Sequence, residues 1–435
     1  MEVAMEIKRD VYLDRLIVRK HNGLIKVITG IRRSGKSYLL NNIFYNHLLE
    51  SGVPADHIIK FAFDSAEDLL KIGEDPIVLD NEKEDRKVDP SKFINWLMPQ
   101  IKGDGMYYLL LDEVQKLGAF ESVLNGFLRR ENLDVYVTGS NSKFLSKDVL
   151  TEFRGRGDEV HVLPLSFSEY YTFKQGDKSE AYDDYSVYGG LPAVALMVTE
   201  EQKTNYLISQ MQNLYLRDIV NRYAVQDETA LGKVIDVIAS GISTLTNPRK
   251  IANTMNTIHG TKTCDATVDR YIGYAEEAFI LTRVKRYNVK GRKYIGTPYK
   301  IYFEDVGLRN VRLSFRQIEG THMMENIIYN ELRYRGYQVD VGTVESREKD
   351  SSGKEIRVQR EIDFIASLGS KKYYIQSAYA IPDQEKYEQE TKSFEHTMDS
   401  FKKIIIIEKS MKPRYDEHGY LMMGVKEFLL DANSL

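Results

Sequence analysis

A glycine-rich segment near the amino terminus constrains the fold more than any other feature of this sequence. Residues 30–37 read GIRRSGKS, with a mostly apolar run at residues 24–28 before them and a helix-like apolar pattern after them. Glycines at the first and sixth positions let the backbone turn sharply and approach an anion closely. The N–H groups of such a loop, with the first turn of the following helix, bind phosphate. The sequence therefore predicts a strand, a phosphate-binding loop and a helix in this order.

Two side chains at the end of this loop complete the predicted site. Lys36 is expected to neutralise phosphate charge, and the hydroxyl of Ser37 is expected to ligate Mg²⁺. The alternative is a chance match in a surface loop, and the strand and helix patterns on either side argue against it. The predicted nucleotide-binding residues are Gly30, Ile31, Arg32, Arg33, Ser34, Gly35, Lys36, Ser37 and Tyr38.

A pair of carboxylates follows the apolar segment MYYLLL at residues 106–111. Asp112 and Glu113 thus stand at the carboxyl end of a predicted strand, the edge at which parallel α/β sheets bind ligands. Asp112 is expected to hold Mg²⁺, and Glu113 to act as the general base that polarises the attacking water. The alternative is an N-cap pair for the following helix. A glutamate beside the metal-binding acid favours hydrolysis by water over transfer to a second substrate.

Further polar residues accompany the next two predicted strands. After the strand at 133–137, residues 138–141 either hydrogen-bond the attacking water or γ-phosphate, with Asn141 as the candidate, or form a solvated turn. Before the strand at 159–163, Arg154 and Arg156 either stabilise transition-state charge in a neighbouring subunit or lie in a solvated loop. The candidate catalytic residues are therefore Glu113, Asn141, Arg154 and Arg156.

Composition excludes several other classes of protein. A chain of 435 residues is long enough for two or three domains, and its net charge of −4 means that any nucleic-acid surface must be local. The single cysteine, Cys264, rules out an internal disulfide framework and a cysteine-rich zinc site. The charged amino terminus does not resemble a signal peptide, and no apolar run is long enough to cross a membrane. We therefore expect a cytoplasmic protein.

Five segments together resemble one family of ATPases. The segments GIRRSGKS, LLLDEVQKL, VTGSNSKFLS, FRGRGDEVHVLPLSFSEY and YGGLPAV are similar to bacterial and archaeal AAA-type ATPases that carry an uncharacterised C-terminal nuclease-like domain. These are related to the signal-transduction ATPases with numerous domains, and the resemblance covers nearly the whole chain.

The resemblance implies a particular architecture and further nucleotide-binding residues. It implies an additional-strand P-loop sheet that uses ATP and Mg²⁺, a sensor at residues 138–141, and a helical lid after Pro164. Within the lid, the turn ending at Pro192 would approach the nucleotide, and Arg217 and Arg222 are both candidate lid arginines.

The sequence pattern changes after Asp227. Apolar spacing at Ile251, Met255 and Ile258, and again at residues 268–275, predicts two helices, and a strand pair follows them. This order resembles the winged-helix module of the same family. Residues 281–300 hold seven lysines and arginines and no acid, which predicts either a basic surface that contacts nucleic-acid phosphates or a solvated face.

The last third of the chain is expected to be an α/β domain. A helix with Glu325 in its apolar stripe, a strand with Glu361 and Asp363, and a second strand resemble a restriction-endonuclease-like fold, in which these acids would bind Mg²⁺. The family's active pattern places a lysine where this chain has Ala378. Without an ammonium to orient the nucleophile, the domain is expected to cut nucleic acid poorly or not at all.

Together these patterns predict an α/β protein built on a P-loop AAA-type ATPase core. The predicted domains are an ATPase core at 1–165, a helical lid at 166–226, a winged-helix-like module at 227–300 and a degenerate restriction-endonuclease-like α/β domain at 301–435. The leading hypothesis for function is a Mg²⁺-dependent ATPase that acts as a conformational switch for the C-terminal recognition domains. The alternatives are an ATP-regulated nuclease and an ATP-sensing scaffold with little hydrolysis. Expected partners are ATP and ADP, nucleic acid through residues 281–300, and a second copy of the chain. No membrane partner is expected.

Overall fold

The computed structural model describes residues 6–79, 86–139, 155–260, 262–349 and 354–435. These residues form two compact units. The first unit comprises residues 7–163 together with 277–279, and the second comprises 164–276 and 280–435 together with residue 6.

The first unit is built on a sheet of five parallel strands in the order β2-β3-β4-β1-β5. Strand β4 lies between β1 and β3, so the additional strand of the predicted P-loop sheet is confirmed. The strands are Ile25–Thr29 (β1), Ile58–Ala62 (β2), Tyr107–Asp112 (β3), Leu133–Thr138 (β4) and Gly157–His161 (β5).

Helices pack on this sheet, and their cover explains why its strands are apolar. Every residue of β1, β3 and β4 is buried, as is usual for a parallel sheet covered on both faces. Phe93 and Leu124 belong to the core cluster on β3 and β4, and the ring of Phe44 lies 4.6 Å from that of Tyr136. The helices of this unit are Asp10–Ile17, Lys36–Tyr38, a π-helical Leu39–Phe44, Tyr45–Glu50, Ala55–His57, Ala66–Lys71, Pro76–Leu79, Pro90–Leu97, Met98–Gln100, Val114–Lys116 and Phe120–Phe127.

The second unit contains a mixed sheet of eight strands in the order β12-β13-β11-β10-β9-β8-β6-β7. Strand β6 pairs antiparallel with β7 and parallel with β8, so the hairpin β6–β7 extends the sheet of the tail. The strands are Leu281–Asn288 (β6), Lys293–Phe303 (β7), Gln338–Lys349 (β8), Glu355–Leu368 (β9), Lys371–Ala378 (β10), Lys402–Ile407 (β11), Arg414–Tyr415 (β12) and Leu421–Gly424 (β13).

The helices of the second unit precede and flank this sheet. The two helices predicted after Asp227 are present, although Ile258 is 66% exposed rather than on a buried face. The helices are Phe167–Lys174, Lys178–Tyr188, Pro192–Leu196, Glu200–Ser209, a π-helical Gln210–Leu216, Arg217–Tyr223, Glu228–Ser240, Pro248–His259, Asp265–Glu277, Val306–Arg312, Gly320–Tyr334, Gln384–Thr391, Phe394–His396 and Val425–Leu430.

One expected domain boundary falls inside a strand. The division between the winged-helix-like module and the nuclease-like domain was expected between residues 300 and 301, but β7 runs through both positions. The local sequence pattern identifies a hairpin but not the strand with which the hairpin pairs. That strand is β8, about 50 residues further along the chain. The hairpin and the tail therefore share one sheet. Among the helices of the described ranges, none has the length and apolar composition needed to cross a bilayer.

Candidate nucleotide-binding site

The loop after β1 has the backbone geometry that its glycines predict. Gly30 and Gly35 have φ angles of 135° and 92°, in the region that side chains rarely allow. A Cβ atom added to Gly30 would lie 2.1 Å from the carbonyl oxygen of Val162, which follows β5. Glycine is therefore required where the loop passes the end of the sheet.

The side chain of Lys36 lies inside the loop that precedes it. Its Nζ donates hydrogen bonds of 2.9 Å to the carbonyl oxygens of Gly30 and Ile31, and the residue is buried. The loop thus wraps around its own ammonium group. This arrangement places a positive charge within the curve of the backbone before any anion binds.

The carboxylate of Asp112 joins the phosphate-binding loop and its helix to the ends of β3 and β4. It accepts hydrogen bonds from Ser37 Oγ at 3.1 Å, from Asn41 Nδ2 at 3.3 Å and from the hydroxyl of Thr138. Burial raises the pKa of Asp112, and the hydrogen bonds from Thr138 and Ser37 oppose that shift. The phosphate-binding loop, the end of β3 and the end of β4 therefore converge on one acid.

Glu113 leaves the strand in a left-handed conformation, with φ of 51°. Its backbone N–H donates to Thr138 Oγ1 at 3.1 Å, and Gln115 donates to its carboxylate. Its side chain makes no capping hydrogen bond to the short helix that begins at Val114. A non-glycine residue in this conformation costs about 1 kcal/mol or more, and such residues concentrate at functional sites.

Asp64 is a third acid at this edge, and the sequence reasoning missed it. It stands two residues after β2. Burial raises the pKa of Asp64, and the nearby charge of Glu113 raises it further, whereas Lys116 and Arg32 lower it. The signal was available in the sequence, because FAFD has the same pattern of an apolar strand followed by an acid as LLLD.

Arg9 holds the phosphate-binding loop through hydrogen bonds, and the sequence reasoning did not identify this residue either. Its guanidinium donates to the carbonyl oxygens of Ser34 at 3.1 Å and Leu163 at 2.6 Å. These partners lie 25 and 154 residues away, so no local pattern could reveal the contact. Within the described residues, the buried hydroxyl of Ser34 has no hydrogen-bond partner.

The donor set at this edge fits a magnesium-bound nucleotide. Hydroxyl and carboxylate oxygens are the ligands that Mg²⁺ prefers, and Ser37 and Asp112 can supply one of each. Lys36 and the glycine-rich backbone supply the positive charge and close approach that phosphate needs. The hydroxyl of Ser34 is a further donor buried within the loop.

Comparison with known proteins agrees with this geometry. The AAA domain family matches residues 22–171, and a domain of unknown function (DUF8612) matches residues 179–319. An uncharacterized protein of Haemophilus influenzae is 34% identical over 415 residues, which cover 94% of this chain and 95% of that protein. The chain belongs to the AAA-type P-loop ATPase family. The uncharacterized protein MJ1544 of Methanocaldococcus jannaschii is 26% identical over 98% of this chain and 90% of its own length.

Solved structures show only distant similarity to this AAA-type protein. The Orc1 protein of Aeropyrum pernix, solved in complex with DNA, is 11% identical and aligns over 72% of this chain and 95% of its own, with a TM-score of 0.29. Cdc6p from Pyrobaculum aerophilum gives 11% identity, 72% and 96% coverage, and a TM-score of 0.29. At such scores most of the two chains do not superpose, so these similarities say nothing about what this protein binds.

Other predicted site residues of this AAA-type protein lie away from the loop or outside the described ranges. Arg156 is exposed at the amino end of β5, where its carbonyl oxygen accepts from Ile25 N at 2.9 Å. Because the phosphate-binding loop follows the opposite end of β1, Arg156 does not share an edge with it. Asn141 and Arg154 lie outside the described residues, so their roles stay predictions.

The predicted lid residues belong to the second unit, and their contact with nucleotide stays a prediction. Pro192 begins a short helix, and the turn before it is held by Asp305, whose carboxylate accepts from Gly190 N at 2.7 Å. Arg217 is exposed and Arg222 is half-buried.

The acids of the tail lie together, and an unexpected lysine lies among them. Lys300 Nζ is 2.8 Å from Glu325, 2.7 Å from Glu361 and 3.1 Å from Asp363. The expectation that this cluster lacks an ammonium was therefore wrong. The ammonium comes from β7 rather than from the position of Ala378 on β10, because the two strands, distant in sequence, belong to one sheet.

The seven cations of the segment 281–300 do not all belong to one exposed surface. Arg283 is paired with Glu276, and Arg286 is buried, with a hydrogen bond of 2.9 Å to the carbonyl oxygen of Pro298. Lys300 lies in the acid cluster. The exposed cations of the hairpin are Lys285, Lys290, Arg292 and Lys293.

Proposed function

We propose that this protein hydrolyses ATP with Mg²⁺ and that the cycle acts as a conformational switch on its second unit. The observation that carries the proposal is the hydrogen bond between Ser37 and Asp112, which joins the phosphate-binding loop to the acid at the end of β3. Phosphate binding and metal binding then occur at one edge of one sheet, as ATP hydrolysis requires.

Each residue of the site has a distinct role in this proposal. Lys36 turns from the carbonyl oxygens of its own loop towards the β- and γ-phosphates, and the loop N–H groups hold the phosphate oxygens. Ser37 and Asp112 would hold Mg²⁺, which would supply positive charge against the phosphates. Glu113 accepts a proton from the attacking water, and Thr138 fixes its backbone position.

Binding of ATP tests this assignment at its first step. Isothermal titration calorimetry with ATP and Mg²⁺ should show binding by the wild-type protein and loss of binding in Lys36→Ala. The matched control is Lys102→Ala, which removes an exposed lysine of the same unit and should bind as the wild type does. Equal affinity in Lys36→Ala and Lys102→Ala would contradict the assigned phosphate site.

The position of Arg156 favours a role in a neighbouring subunit over one in its own site. It is exposed, and it stands at the edge of the sheet opposite its own phosphate-binding loop. We therefore propose that Arg156, or Arg154 close to it in sequence, contacts nucleotide bound by a second copy of the chain. Mixing inactive Arg156→Ala with inactive Lys36→Ala should restore part of the activity, and a mixture that stays inactive would contradict this proposal.

A second candidate function rests on the hairpin β6–β7. Its four exposed cations and the exposed ring of Tyr294 form a basic surface with an aromatic side chain on an acidic protein. Such a surface binds nucleic acid through phosphates and stacked bases without strong sequence preference. We propose that the second unit recognises nucleic acid in this way.

A further inference from the structure

The cluster around Lys300 joins three elements of the second unit. Lys300 lies on β7, Glu325 on the helix Gly320–Tyr334, and both Glu361 and Asp363 on β9. Lys300 is 3% exposed, and Glu325 and Asp363 are each 7% exposed. A single ammonium group is therefore enclosed by three carboxylates, with nitrogen to oxygen distances of 2.7–3.1 Å.

The oxygens of two of these acids already have partners within the protein. Tyr302 donates its hydroxyl to Glu325 at 2.6 Å, on the oxygen that also accepts from Lys300. Asp363 accepts from Lys300 on one oxygen and from the backbone N–H of Ser377 at 2.9 Å on the other. Protein donors therefore already use oxygens that a divalent cation would need.

The carboxylates of the cluster keep Lys300 protonated. Burial lowers the pKa of Lys300, but the charges of Glu325, Asp363 and Glu361 outweigh burial and raise it well above the ordinary value. For Glu325, burial raises the pKa to about 7, and the charge of Lys300 opposes that shift. Removing the ammonium would leave buried carboxylates without a counter-ion, which is strongly unfavourable. With Lys300 in place, no group of three or more Asp, Glu, His or Cys side chains in the described ranges is arranged to hold a metal ion.

We propose that Lys300 is the built-in cation of this cluster and occupies the position where a divalent metal ion would otherwise bind. The wild-type tail then holds no Mg²⁺ or Mn²⁺ at these acids and performs no metal-dependent cleavage of nucleic acid. Replacing Lys300 with a neutral residue converts the cluster into a divalent-cation site. This inference concerns the second unit alone and does not depend on ATP hydrolysis.

Binding of Mn²⁺ to the full chain, followed by electron paramagnetic resonance without nucleotide, tests the proposal. Lys300→Met should bind one more Mn²⁺ than the wild type, at least about tenfold more tightly than the wild-type cluster, a change of about 1.4 kcal/mol. The added site should vanish in the double variant Lys300→Met, Asp363→Asn. The matched control is Lys426→Met, because Lys426 is also buried but, among the described residues, forms an ion pair with one carboxylate only, that of Glu408, at 3.0 Å. That control should gain no Mn²⁺.

Melting temperature provides a second readout in case Lys300→Met is poorly folded. A cation that binds only the folded state stabilises it, so Mn²⁺ should raise the melting temperature of Lys300→Met but not that of Lys426→Met. Failure of Mn²⁺ both to bind Lys300→Met and to raise its melting temperature would overturn the proposal.

The wild-type protein, in which Lys300 is present, should bind no Mn²⁺ at the cluster, and this expectation is a further test. Mn²⁺ binding by the wild type that is abolished in Asp363→Asn would also overturn the proposal, because the cluster would then be a metal site with its lysine in place. So would Mg²⁺- or Mn²⁺-dependent cleavage of single-stranded, duplex or branched DNA that disappears in Asp363→Ala.

Discussion

At the scale of single residues, the phosphate-binding loop depends on a side chain outside the motif. Arg9 is 4% exposed and donates to the carbonyl oxygens of Ser34, within the loop, and Leu163, two residues after β5. Without these bonds the loop loses part of its fixed shape before ATP binds. A pre-organised site binds more tightly because less conformational entropy is lost on binding.

We therefore expect Arg9→Met to lower both stability and ATP affinity. Two buried carbonyl oxygens would lose charged donors, so the free energy of unfolding should fall by about 2–4 kcal/mol. The affinity for ATP should fall by roughly tenfold as the loop loosens. Urea unfolding and calorimetry measure the two effects, and Arg19→Met is the control because Arg19 pairs with Asp158 near the surface, 2.9 Å away. Wild-type affinity in a folded Arg9→Met protein would show that the loop needs no brace.

At the scale of elements, the turn before Pro192 is locked to the helix Val306–Arg312. The Asp305 carboxylate accepts from Gly190 N at 2.7 Å and from Leu308 N at 3.1 Å. A Cβ atom on Gly189 would lie 2.2 Å from this carboxylate, so the turn and the acid are in close contact. Burial raises the pKa of Asp305 to about 6, and above that pH the ionised form accepts these bonds.

Asp305→Asn should therefore destabilise the protein much more than loss of an ordinary helix cap. An amide offers only one acceptor oxygen, so one buried N–H would be left facing another donor, at a cost of about 2–4 kcal/mol. Asp383→Asn is the matched control, because Asp383 also caps a helix, through Lys386 N at 2.8 Å, but is exposed. Urea midpoints of the two variants decide the matter, and equal small losses would mean that the turn is not locked by Asp305.

The hairpin β6–β7 carries a prediction about nucleic acid. Replacing its four exposed cations with Gln should weaken binding to all sequences alike. The logarithm of affinity should also depend less steeply on the logarithm of salt concentration, by about 0.7–0.9 for each phosphate that the hairpin no longer neutralises. Arg286 should not be included, because it is buried and supports the hairpin.

Filter binding across a salt series is the measurement for the hairpin. Replacing Lys409, Lys412 and Arg414, also exposed cations of the second unit, should change little and serves as the control. Unchanged affinity in the hairpin variant would remove this surface from consideration.

At the scale of the whole molecule, the sequence predicts features that depend on neighbouring residues and misses those that depend on contacts between distant residues. The segments around Lys36 and Asp112 carry their signals within a few residues, so the loop, the acid pair and the strands before them were predictable. Arg9 and Lys300 were not, because their partners lie 25 to 154 residues away and only the packed chain brings them together.

The two units divide the proposed activities between them. Lys36, Ser37, Asp112 and Glu113 all belong to the first unit, whereas the Lys300 cluster and the basic hairpin belong to the second. We therefore expect hydrolysis and recognition to be separable by mutation. Changes to the hairpin should leave the ATP-binding affinity unaltered, and changes to Lys36 should leave the stability of the second unit unaltered.

The central claim is that Glu113 is the general base of an ATPase. Single-turnover hydrolysis of ATP with Mg²⁺, measured in wild type and in Glu113→Gln, tests it most directly, with Glu131→Gln as the control because Glu131 is an exposed glutamate of the same unit. We expect Glu113→Gln to bind ATP as the wild type does but to hydrolyse it roughly 10² to 10⁴ times more slowly, since a positioned base contributes that much. Hydrolysis by Glu113→Gln at the wild-type rate would contradict the central claim.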